Sequence, residues 1–569
     1  MKNQLIAQIF RDVSRILEIK GDNPFRIRAY ERAAQNIEGL SENIENFIRD
    51  DRLREITGIG RDLESKIKEI VETNRLKFFE GLKKTIPQGL LELLNIPSVG
   101  PKTARLLYEK LKVKNIAGLE KAIRNNKLAG IFGIKEKTIE NILKGIALLK
   151  RGRERMSLAL AMQVADEFMD ALKKMPEVKK ISSAGSLRRQ KETVRDIDIL
   201  VISDKPKKVM NSFSGLPLVK EVLAKGVTKS SVRTNNDVQV DCRVVEPKSF
   251  GAALLYFTGS KNFNIKLRQL AIKKGLKINE YGVFKKDKFV CGKTEEEIFK
   301  ILGMAYVEPE LREDSGEIEL AREIKLPRLI EIKDLKGDLH VHSQWSDGGN
   351  TIEEMARAAQ GRGYSYIAIT DHSQSLKVAG GLSIADLRKK KAEIDKINKN
   401  LKGFRVLYGT EVDIDAQGKI DYKDGILKEF DIVVAAIHSG FKQPKEQLTR
   451  RIVKACQNKF VHIIAHPTGR LWGVRDAYVL DYDKVLKAAK ETCTALEINA
   501  FPQRMDLNDL DSRRAKDCGV NLAISTDAHT IEQLANIKFG ISVARRGWIA
   551  REDVINTLPV EELLKTIKK

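Results

Sequence analysis

Long hydrophobic runs are missing from this chain of 569 residues, and its cysteines are few. No apolar stretch approaches the roughly 20 residues that cross a bilayer, so we expect no membrane-spanning helix and no membrane partner. The five cysteines form no Cys-x-x-Cys pair; they are Cys242, Cys291, Cys456, Cys493 and Cys518. Their spacing argues against a disulfide framework and predicts free thiols in a reducing cytoplasm.

Negative charge is scarce in one part of the chain. The whole sequence has 102 Lys and Arg against 78 Asp and Glu, a net charge of +24. Residues 101–300 alone have 43 against 22. A uniformly lysine-rich surface would not concentrate the excess in one segment. The distribution favours a polyanionic partner, most simply nucleic acid.

Histidine is absent from residues 1–339, and all seven histidines lie between His340 and His529. Six of them sit in short runs typical of metal ligands, among them DLHVHS, TDHS and TDAH. Imidazole is a common ligand of borderline transition metals. Three carboxylates in the same segment complete a set of nine candidate ligands: His340, His342, Asp347, His372, Glu411, His438, His466, Asp527 and His529. We interpret His462 as a core residue.

The segment that contains these ligands alternates short apolar strands with helices. Seven strands are predicted, at 338–342, 366–370, 405–410, 432–437, 461–465, 495–499 and 522–526. Six of them end in, or just before, a His, Glu or Asp. An α/β barrel gathers such strand ends on one face. The sequence therefore predicts a barrel with two or three metals, for which mixed imidazole and carboxylate ligands suit Mn²⁺, Zn²⁺ or Fe²⁺ better than Ca²⁺. A hydroxide between such metals can attack a phosphodiester.

Residues 1–150 have apolar residues at three- and four-residue spacing, which predicts helices joined by short turns. Two of the turns follow the pattern apolar-x-(Gly or Ser)-apolar-Gly, and a third is degenerate. Their key residues are Gly58, Gly60, Ser98, Gly100 and Gly133. In such a hairpin, backbone N–H groups and the next helix N-terminus can bind a phosphate without reading bases. One copy is often an ordinary turn, but the repetition in a basic chain favours binding of the DNA backbone.

A β-rich region follows from about residue 178. Asp196 and Asp198 are two apart on a predicted strand and share one face, and Asp241 lies centrally in a later strand. Three carboxylates on adjacent strands can hold two Mg²⁺ ions, one activating a hydroxyl and one neutralising a leaving phosphate. A solvated strand edge also gives Asp-x-Asp. The preceding Gly-Ser turn and the distant Asp241 make nucleotidyl transfer the more specific interpretation.

The Gly185-Ser186 turn can donate to phosphate oxygens, and Arg189 can stabilise charge that develops there. With the downstream run LYFTGSKNFN, residues 255–264, this region resembles the X-family DNA polymerases. The aromatic pair in that run is also compatible with a core strand ending in a turn. The resemblance implies a nucleotide pocket, with a primer 3′-hydroxyl as the nucleophile and these contact residues: Gly185, Ser186, Arg189, Tyr256, Phe257, Thr258, Gly259, Asn264 and Arg268.

Within this resemblance, Tyr256 and Phe257 would lie against the incoming sugar, and Tyr256 would exclude a 2′-hydroxyl. Asn264 would reach the minor-groove edge of the new pair, and Arg268 would contact the template side. Gln239 departs from an arginine that vertebrate relatives have beside the third carboxylate. That departure bears on their active-site switching, not on the chemistry.

The resemblance extends to the N-terminal 80 residues, a helical domain that in some relatives removes a 5′-deoxyribose phosphate through a lysine Schiff base. Lys66 falls at the place of the nucleophile, and Tyr30 matches a neighbouring residue. Asp62 stands where the family has a phosphate-binding lysine, and Arg26 replaces another. A lysine on a helix is usually only a solvated charge, so lyase activity stays an open alternative.

The C-terminal segment resembles the polymerase and histidinol phosphatase (PHP) domain, in which all nine ligand positions bind metal. Arg470, in HPTGR, could contact a substrate phosphate. The domain order looks like that of bacterial and archaeal polymerase X proteins. Their barrel supplies a Mn²⁺-stimulated 3′→5′ exonuclease and sometimes cleaves at abasic sites, which is what the resemblance implies here.

We therefore predict a multidomain α+β and α/β protein: a helical helix-hairpin-helix region, a nucleotidyltransferase palm and thumb core, and a C-terminal distorted (β/α)7 metal-binding barrel. The predicted domains are a lyase-like domain at 1–85, a helix-hairpin-helix region at 86–150, the palm at 151–245, a nucleotide-selecting thumb-like subdomain at 246–315, a linker at 316–335 and the barrel at 336–569.

The predicted function is gap-filling DNA repair synthesis with trimming of 3′ ends. We expect two Mg²⁺ ions in the palm and two or three Mn²⁺ or Zn²⁺ ions in the barrel. The expected partners are gapped or primer–template DNA and deoxynucleoside triphosphates, bound by a cytoplasmic monomer. Two alternatives are a small-molecule phosphatase fused to a DNA-binding module, and a DNA-end-bridging protein with vestigial sites.

Overall fold

The computed structural model describes residues 2–568 except 39–43, 57, 95, 97, 98, 129, 130, 132, 133 and 135. Ser98 and Gly133, two of the predicted hairpin residues, lie outside the described part. The chain divides into two compact units, one formed by residues 1–153 with 473–476 and one formed by residues 154–472 and 477–569. Among the described residues, every helix is too short or too polar to span a lipid bilayer.

The first unit is helical. Its described helices are α1 (Lys2–Lys20), α2 (Pro24–Glu38), α3 (Ile44–Arg49), α4 (Arg61–Thr73), α5 (Lys77–Lys83), α6 (Gln88–Leu93), α7 (Pro101–Leu111), α8 (Ile116–Arg124) and α9 (Glu136–Glu154). One apolar core contains buried residues between Ile6 and Leu82, and a second contains Ile19 and residues between Leu90 and Ile146. Apart from Ile19, the second core contains only residues after the predicted boundary at 85/86, which stays a prediction.

The palm is built on a five-stranded sheet. Its elements are β1 (Met156–Ser157), α10 (Leu158–Lys173), β2 (Lys180–Ser183), α11 (Gly185–Arg188), β3 (Thr193–Val194), β4 (Asp196–Ile202), α12 (Pro206–Ser214), β5 (Val219–Lys225), β6 (Lys229–Thr234) and β7 (Gln239–Val245). The sheet order is β2-β4-β7-β6-β5, and only β4 and β7 run parallel to each other in it. Strand β4 is buried from Ile199 to Ile202 beneath the helices, so its exposed start carries the polar residues.

The predicted thumb-like subdomain contains α13 (Phe250–Thr258), α14 (Lys261–Lys273), β8 (Lys277–Asn279), β9 (Gly282–Lys285), β10 (Lys288–Cys291) and α15 (Glu295–Ile301), and α16 (Glu317–Arg322) follows it in the segment predicted as a linker. The LYFT residues therefore lie on a helix and not on a core strand. The segment YGVFKKDKFVCG forms the hairpin of β9 and β10, with Lys286 and Asp287 at positive φ in the turn. Such left-handed turns match the twist of the strands that they join.

The C-terminal barrel has seven parallel strands, as predicted. They alternate with helices as β11 (Gly337–Val341), α17 (Ile352–Gly361), β12 (Tyr366–Ile369), α18 (Ile384–Asn400), β13 (Arg405–Asp413), α19 (Asp424–Leu427), β14 (Ile432–Ala436), α20 (Lys445–Gln457), β15 (Ile463–Ile464), α21 (Tyr482–Glu491), β16 (Ala495–Asn499), α22 (Asp509–Asp517), β17 (Leu522–Ser525), α23 (Ile537–Arg546) and α24 (Val560–Thr566). Short 3-10 helices lie at Leu53–Glu55, Pro247–Ser249, Pro309–Leu311, Ile332–Asp334, Lys377–Ala379, Ile531–Asn536, Arg551–Asp553 and Ile555–Thr557.

Strand order in the barrel follows the sequence from β11 to β17. The barrel is nearly closed, because the N–H of His342 donates to the carbonyl of Ala528 at 2.8 Å and the N–H of Asp527 donates to the carbonyl of His340 at 3.0 Å. These strands are buried on both faces, which accounts for their continuous apolar runs. The open loops at the strand ends carry the polar residues.

The segment that we predicted as a linker, residues 316–335, is packed rather than extended. It contains α16, whose Ile318 and Ala321 are buried. Leu329 lies in one apolar cluster with Trp548 of the barrel. This segment therefore joins the core and the barrel through buried contacts.

Candidate active sites

The palm sheet brings the three predicted carboxylates to neighbouring positions. Asp198 on β4 is the register partner of Asp241 on β7, and Asp196 is the partner of Gln239. Asp196 is exposed, whereas Asp198 and Asp241 are half-buried. Gln239 Nε2 donates to Asp241 Oδ1 at 3.0 Å, and Lys229 Nζ lies 3.9 Å from Asp241 Oδ2. The parallel pairing of β4 and β7 therefore assembles the cluster.

The palm carboxylates repel one another. Burial raises the pKa of Asp198 to about 6, and the charges of Asp196 and Asp241 contribute to the shift. Cations between these oxygens would reverse that effect, because an opposite charge within a few ångströms favours the ionised form. Carboxylate oxygens are the ligands that Mg²⁺ accepts most readily. The residues therefore fit divalent cations in this place.

The Gly-Ser turn packs directly against this cluster. Gly185 begins α11 with φ +65°, and a Cβ placed there would lie 2.7 Å from Asp198 Oδ2. The N–H of Ala184 donates to the carbonyl of Asp198 at 2.8 Å. Both the backbone conformation and the close approach require glycine at position 185. Ser186 follows it on α11.

Arg189 links this turn to the end of α13. Its guanidinium donates to the carbonyl of Thr258, and its Nε lies 3.0 Å from Glu313 Oε1. A Cβ at Gly259 would lie 3.0 Å from Arg189 Nη1, so glycine permits this approach. The structure thus brings Gly185, Arg189, Thr258 and Gly259 together, as the nucleotide-pocket interpretation requires.

The remaining predicted nucleotide contacts form a local chain. Tyr256 is 38% exposed and stands edge-on to Phe257, with ring centroids 5.1 Å apart. Asn264 Nδ2 donates to the carbonyl of Tyr256 at 2.7 Å, and Arg268 Nε donates to the carbonyl of Asn264 at 3.2 Å. Their roles toward a nucleotide stay predictions.

In the barrel, all nine predicted ligands meet around the strand ends. Within each of three groups, ligand atoms lie within 4.8 Å of one another. The groups are His342, Asp347, His372 and His529; His340, His342 and Asp527; and His372, Glu411 and His438. The ninth, His466, places Nε2 3.1 Å from Glu411 Oε1. Shared members join the groups into one cluster.

Several buried nitrogens of this cluster have no hydrogen-bond partner among the described residues. They include His340 Nε2, both ring nitrogens of His342 and His466 Nδ1. A buried polar atom left unpaired costs roughly 1–3 kcal/mol. Metal ions would bind these lone pairs, and the mixed imidazole and carboxylate set fits first-row transition metals such as Mn²⁺ or Zn²⁺.

Burial and interleaved charges separate the pKa values in this cluster. Burial lowers the pKa of His342 to about 4, and it lowers the pKa of His466 to about 4 as well. Burial also opposes protonation of His372, but Glu411 and Asp347 outweigh it and raise the pKa of His372 to about 10. Metals bind neutral imidazole, so a cation at this place must displace the proton of His372.

Carboxylates behind the ligands orient them, and sequence analysis did not identify these. His340 Nδ1 lies 2.8 Å from Glu497 Oε1, and His438 Nδ1 lies 3.3 Å from Asp413 Oδ1. Such partners fix the ring orientation of a ligating histidine. Glu497 is two residues before Asn499 and therefore shares its strand face, which is the signal that could have identified it.

A fully buried ion pair supports the loop that contains Asp347. Lys390 Nζ lies 2.8 Å from Asp371 Oδ2 and donates to two strand carbonyls at 2.9 and 3.0 Å. Asp371 accepts from the N–H of Ser343 at 2.7 Å and from the hydroxyl of Ser346 at 2.9 Å. Lys390 lies on the buried stripe of α18 with Leu387, Ile394 and Ile397. The position of this lysine in the apolar stripe of the helix is the sequence signal that could have identified it.

Arg470, the predicted phosphate contact, has other partners in the structure. Its Nη2 lies 2.7 Å from Glu192 Oε2 of the palm, and its Nε donates to the carbonyl of Arg504 at 2.7 Å. The arginine beside a barrel ligand is Arg504, whose Nε lies 3.4 Å from Asp527 Oδ2. His462 is a buried core residue, as predicted.

In the helical unit, Lys66 lies close to aromatic rings. Its Nζ is 5.1 Å from the centroid of Phe78 and 5.8 Å from that of Tyr30, and it forms an ion pair with Asp62. The lysine side chain is 12% exposed. Cation–π contacts account for this position without any chemistry, so lyase activity stays a prediction.

The described hairpin glycines lie at helix starts. Gly58 has φ +86°, and Gly60 and Gly100 precede α4 and α7 as their N-caps. A Cβ at Gly60 or Gly100 would meet nothing within 4 Å. The N-terminal N–H groups of these helices are thus accessible to an anion.

Comparison with known proteins agrees with this arrangement. Residues 1–76 match the helix-hairpin-helix domain, 90–147 the SAM-like helix-hairpin-helix tandem, 253–313 the DNA polymerase beta thumb and 338–501 the PHP domain. The DNA polymerase/3′-5′ exonuclease PolX of Bacillus subtilis is 39% identical over 573 residues, which cover 100% of each chain. The chain belongs to the PolX family.

Two further relatives cover parts of this PolX chain. A probable phosphatase of Thermoanaerobacter sp. is 32% identical over 245 residues, 41% of this chain and 95% of the relative. DNA polymerase lambda of Rattus norvegicus is 25% identical over 360 residues, 55% of this chain and 56% of the relative. The fold that we predicted, a helix-hairpin-helix region, a polymerase core and a seven-stranded barrel, is confirmed.

Proposed function

We propose that this protein extends DNA primers in short gaps and trims 3′ ends, with synthesis in the palm and trimming in the barrel. The observation that supports it best is that this chain, which aligns with the Bacillus subtilis PolX over 100% of each chain, brings together two clusters of candidate ligands. Asp196, Asp198 and Asp241 converge in one, and nine imidazoles and carboxylates converge in the other.

In the palm, Asp196 and Asp198 would hold both cations and Asp241 would help to activate the primer 3′-hydroxyl. Two bound Mg²⁺ ions would supply positive charge to the reacting hydroxyl and to the leaving phosphate. Gly185, Ser186 and Arg189 would bind the triphosphate with backbone, hydroxyl and guanidinium donors, because Gly185 lies against Asp198 and Ser186 and Arg189 follow it in the same turn. Tyr256 and Phe257 would lie against the sugar.

In the barrel, the nine ligands would hold two or three Mn²⁺ or Zn²⁺ ions. Those ions would supply a nucleophilic hydroxide and charge at the leaving oxygen. Glu497 and Asp413 orient His340 and His438, and Lys390 and Asp371 support the loop of Asp347. Abasic-site cleavage in the barrel, lyase activity at Lys66, a monomeric state and a cytoplasmic location stay predictions.

One assay tests both activities together. A gapped duplex with a labelled primer is incubated with Mg²⁺ or Mn²⁺, with and without deoxynucleoside triphosphates. We expect the primer to lengthen when nucleotides are present and to shorten from its 3′ end when they are absent. A primer without a 3′-hydroxyl is the control for extension. A primer whose length never changes would refute the proposal.

The alternative of a small-molecule phosphatase has one observation in its favour, the barrel relatives named probable phosphatase. The complete palm cluster argues against it. Hydrolysis of histidinol phosphate, measured beside trimming of the gapped duplex, separates the two. Faster hydrolysis of the small substrate would favour the alternative.

A further inference from the structure

One arginine of the barrel contacts the turn of the palm at residues 185–189, which we call the phosphate turn. Arg546, the last residue of α23, donates from Nη1 to the carbonyl of Arg189 at 3.0 Å and to Glu313 Oε1 at 3.1 Å. Within the barrel, its Nε and Nη2 lie 2.9 and 2.7 Å from Asp509 Oδ2. Only 8% of the Arg546 side chain is exposed. Two charged contacts from Asp509 therefore fix the direction in which this guanidinium points.

Arg546 and Arg189 share one carboxylate oxygen. Arg189 Nε lies 3.0 Å from the same Glu313 Oε1, and Lys191 Nζ lies 3.5 Å from it. Three cationic side chains thus face a single negative charge. Because Arg546 takes part of that charge, Glu313 does not neutralise Arg189 completely. The remaining positive charge at Arg189 is available to an anionic ligand.

A second barrel contact holds the other end of the same palm segment. Arg470 Nη2 lies 2.7 Å from Glu192 Oε2, three residues after Arg189. Two arginines of the barrel therefore contact the two ends of residues 189–192. Side chains held in this way keep their orientation at lower entropic cost when a ligand binds.

We propose that Arg546 is a positioning residue for the polymerase reaction. It orients Arg189 and offsets the charge of Glu313, so that the barrel domain strengthens binding of the nucleotide triphosphate in the palm. This inference rests on the proposed polymerase function.

The test is the dependence of primer extension on nucleotide concentration in the full-length protein. For R546A we expect KM for the nucleotide to rise about tenfold, with kcat within about twofold, because contacts to the bound triphosphate weaken. Trimming by the same preparation should be unchanged and reports an intact barrel. R546K keeps the positive charge but has a single ammonium group in place of the guanidinium, so its KM for the nucleotide should lie between the values of the wild type and R546A.

Arg545 supplies a matched control. It precedes Arg546 on α23 and also crosses to the core, with Nε 2.7 Å from Glu310 Oε1, but no contact joins it to Arg189 or Glu313 among the described residues. R545A should change KM less than about twofold, since the phosphate turn keeps its partners. An equal rise of KM in R545A and R546A would mean general loosening and would overturn the proposal.

A double variant separates charge compensation from loosening. In the R546A background, Glu313→Gln removes the carboxylate that Arg546 no longer shares with Arg189 and Lys191, so KM should return to within about threefold of the wild type. A further rise of KM would contradict the role assigned to Arg546, as would an unchanged KM in R546A itself. Failure of the wild type to extend any primer would instead refute the polymerase function.

Discussion

The palm and barrel clusters both bring ionisable side chains close together, but they differ in the charges that they combine. The palm gathers three carboxylates, one of them exposed, and burial with mutual repulsion raises the pKa of Asp198 to about 6. The barrel interleaves imidazoles with carboxylates, so that Glu411 lies within 3.5 Å of the rings of His340, His372, His438 and His466.

This difference predicts which of the two clusters binds its cations more tightly. The palm carboxylates share one sign of charge and are held in place by the parallel pairing of β4 and β7. The barrel ligands attract one another and have carboxylates such as Glu497 behind them. We expect the palm to exchange cations readily and the barrel to retain them.

The largest effect should come from removing the palm carboxylates. For D196A/D198A we expect primer extension to fall at least about 10³-fold, since charge at the reacting phosphate loses its support. Trimming should persist, because the barrel ligands are untouched. Gel assays of both activities on one preparation measure this, with D204A, outside the cluster, as the control. Extension at the wild-type rate in D196A/D198A would contradict the proposal that these palm carboxylates carry out synthesis.

The reciprocal variant is H340A/H342A. Trimming should fall by about 10³-fold, because two buried candidate ligands are lost and one of them, His342, belongs to two of the three groups. Extension should continue at a rate close to that of the wild type. H462N is the matched control, as it changes a buried barrel histidine that lies outside the cluster. Normal trimming by H340A/H342A would show that the nuclease lies elsewhere.

A smaller effect is expected behind the ligands. K390M leaves Asp371 buried without its partner, so the free energy of unfolding of the barrel should fall by about 3–5 kcal/mol. Urea unfolding followed by trimming activity measures the loss. K391M changes the next residue, an exposed lysine paired with Asp395, and should cost less than about 0.5 kcal/mol. Equal stabilities of the two variants would contradict the role of this pair.

The smallest expected difference is kinetic. After treatment with a chelator and transfer to Mg²⁺, extension should recover immediately, whereas trimming should recover only after Mn²⁺ or Zn²⁺ is restored. The oriented histidines should give the barrel at least about tenfold tighter metal binding than the palm. Elemental analysis during dialysis checks this, and simultaneous loss of metal from both clusters would break the comparison.

Local patterns were sufficient for much of the site. The i, i+2 spacing placed Asp196 and Asp198 on one face, and the strand ends with the loops that follow them indicated all nine candidate ligands of the barrel. The hairpin of β5 and β6 was not predicted, because most of β5 is exposed and shows no alternation of apolar residues. Glu497 and Lys390 were not predicted either, since Glu497 lies inside an otherwise apolar strand and Lys390 is one of three consecutive lysines on the charged helix α18.

The predicted linker and Arg470 show a different limit. Both are contacts over long sequence separations: Leu329 packs with Trp548, and Arg470 pairs with Glu192. A polar or charged sequence gives no indication of which distant residue it will meet.

The amino-acid sequence by itself indicated which side chains are candidates to bind cations, on which strands they lie and to which family the chain belongs. Only the tertiary structure decided how those groups are supported, through Glu497 behind His340, Lys390 beneath Asp371 and Arg546 against the phosphate turn. The physical reason is one of range. Strand periodicity acts over a few residues, whereas the burial of an ion pair depends on segments that only folding brings together.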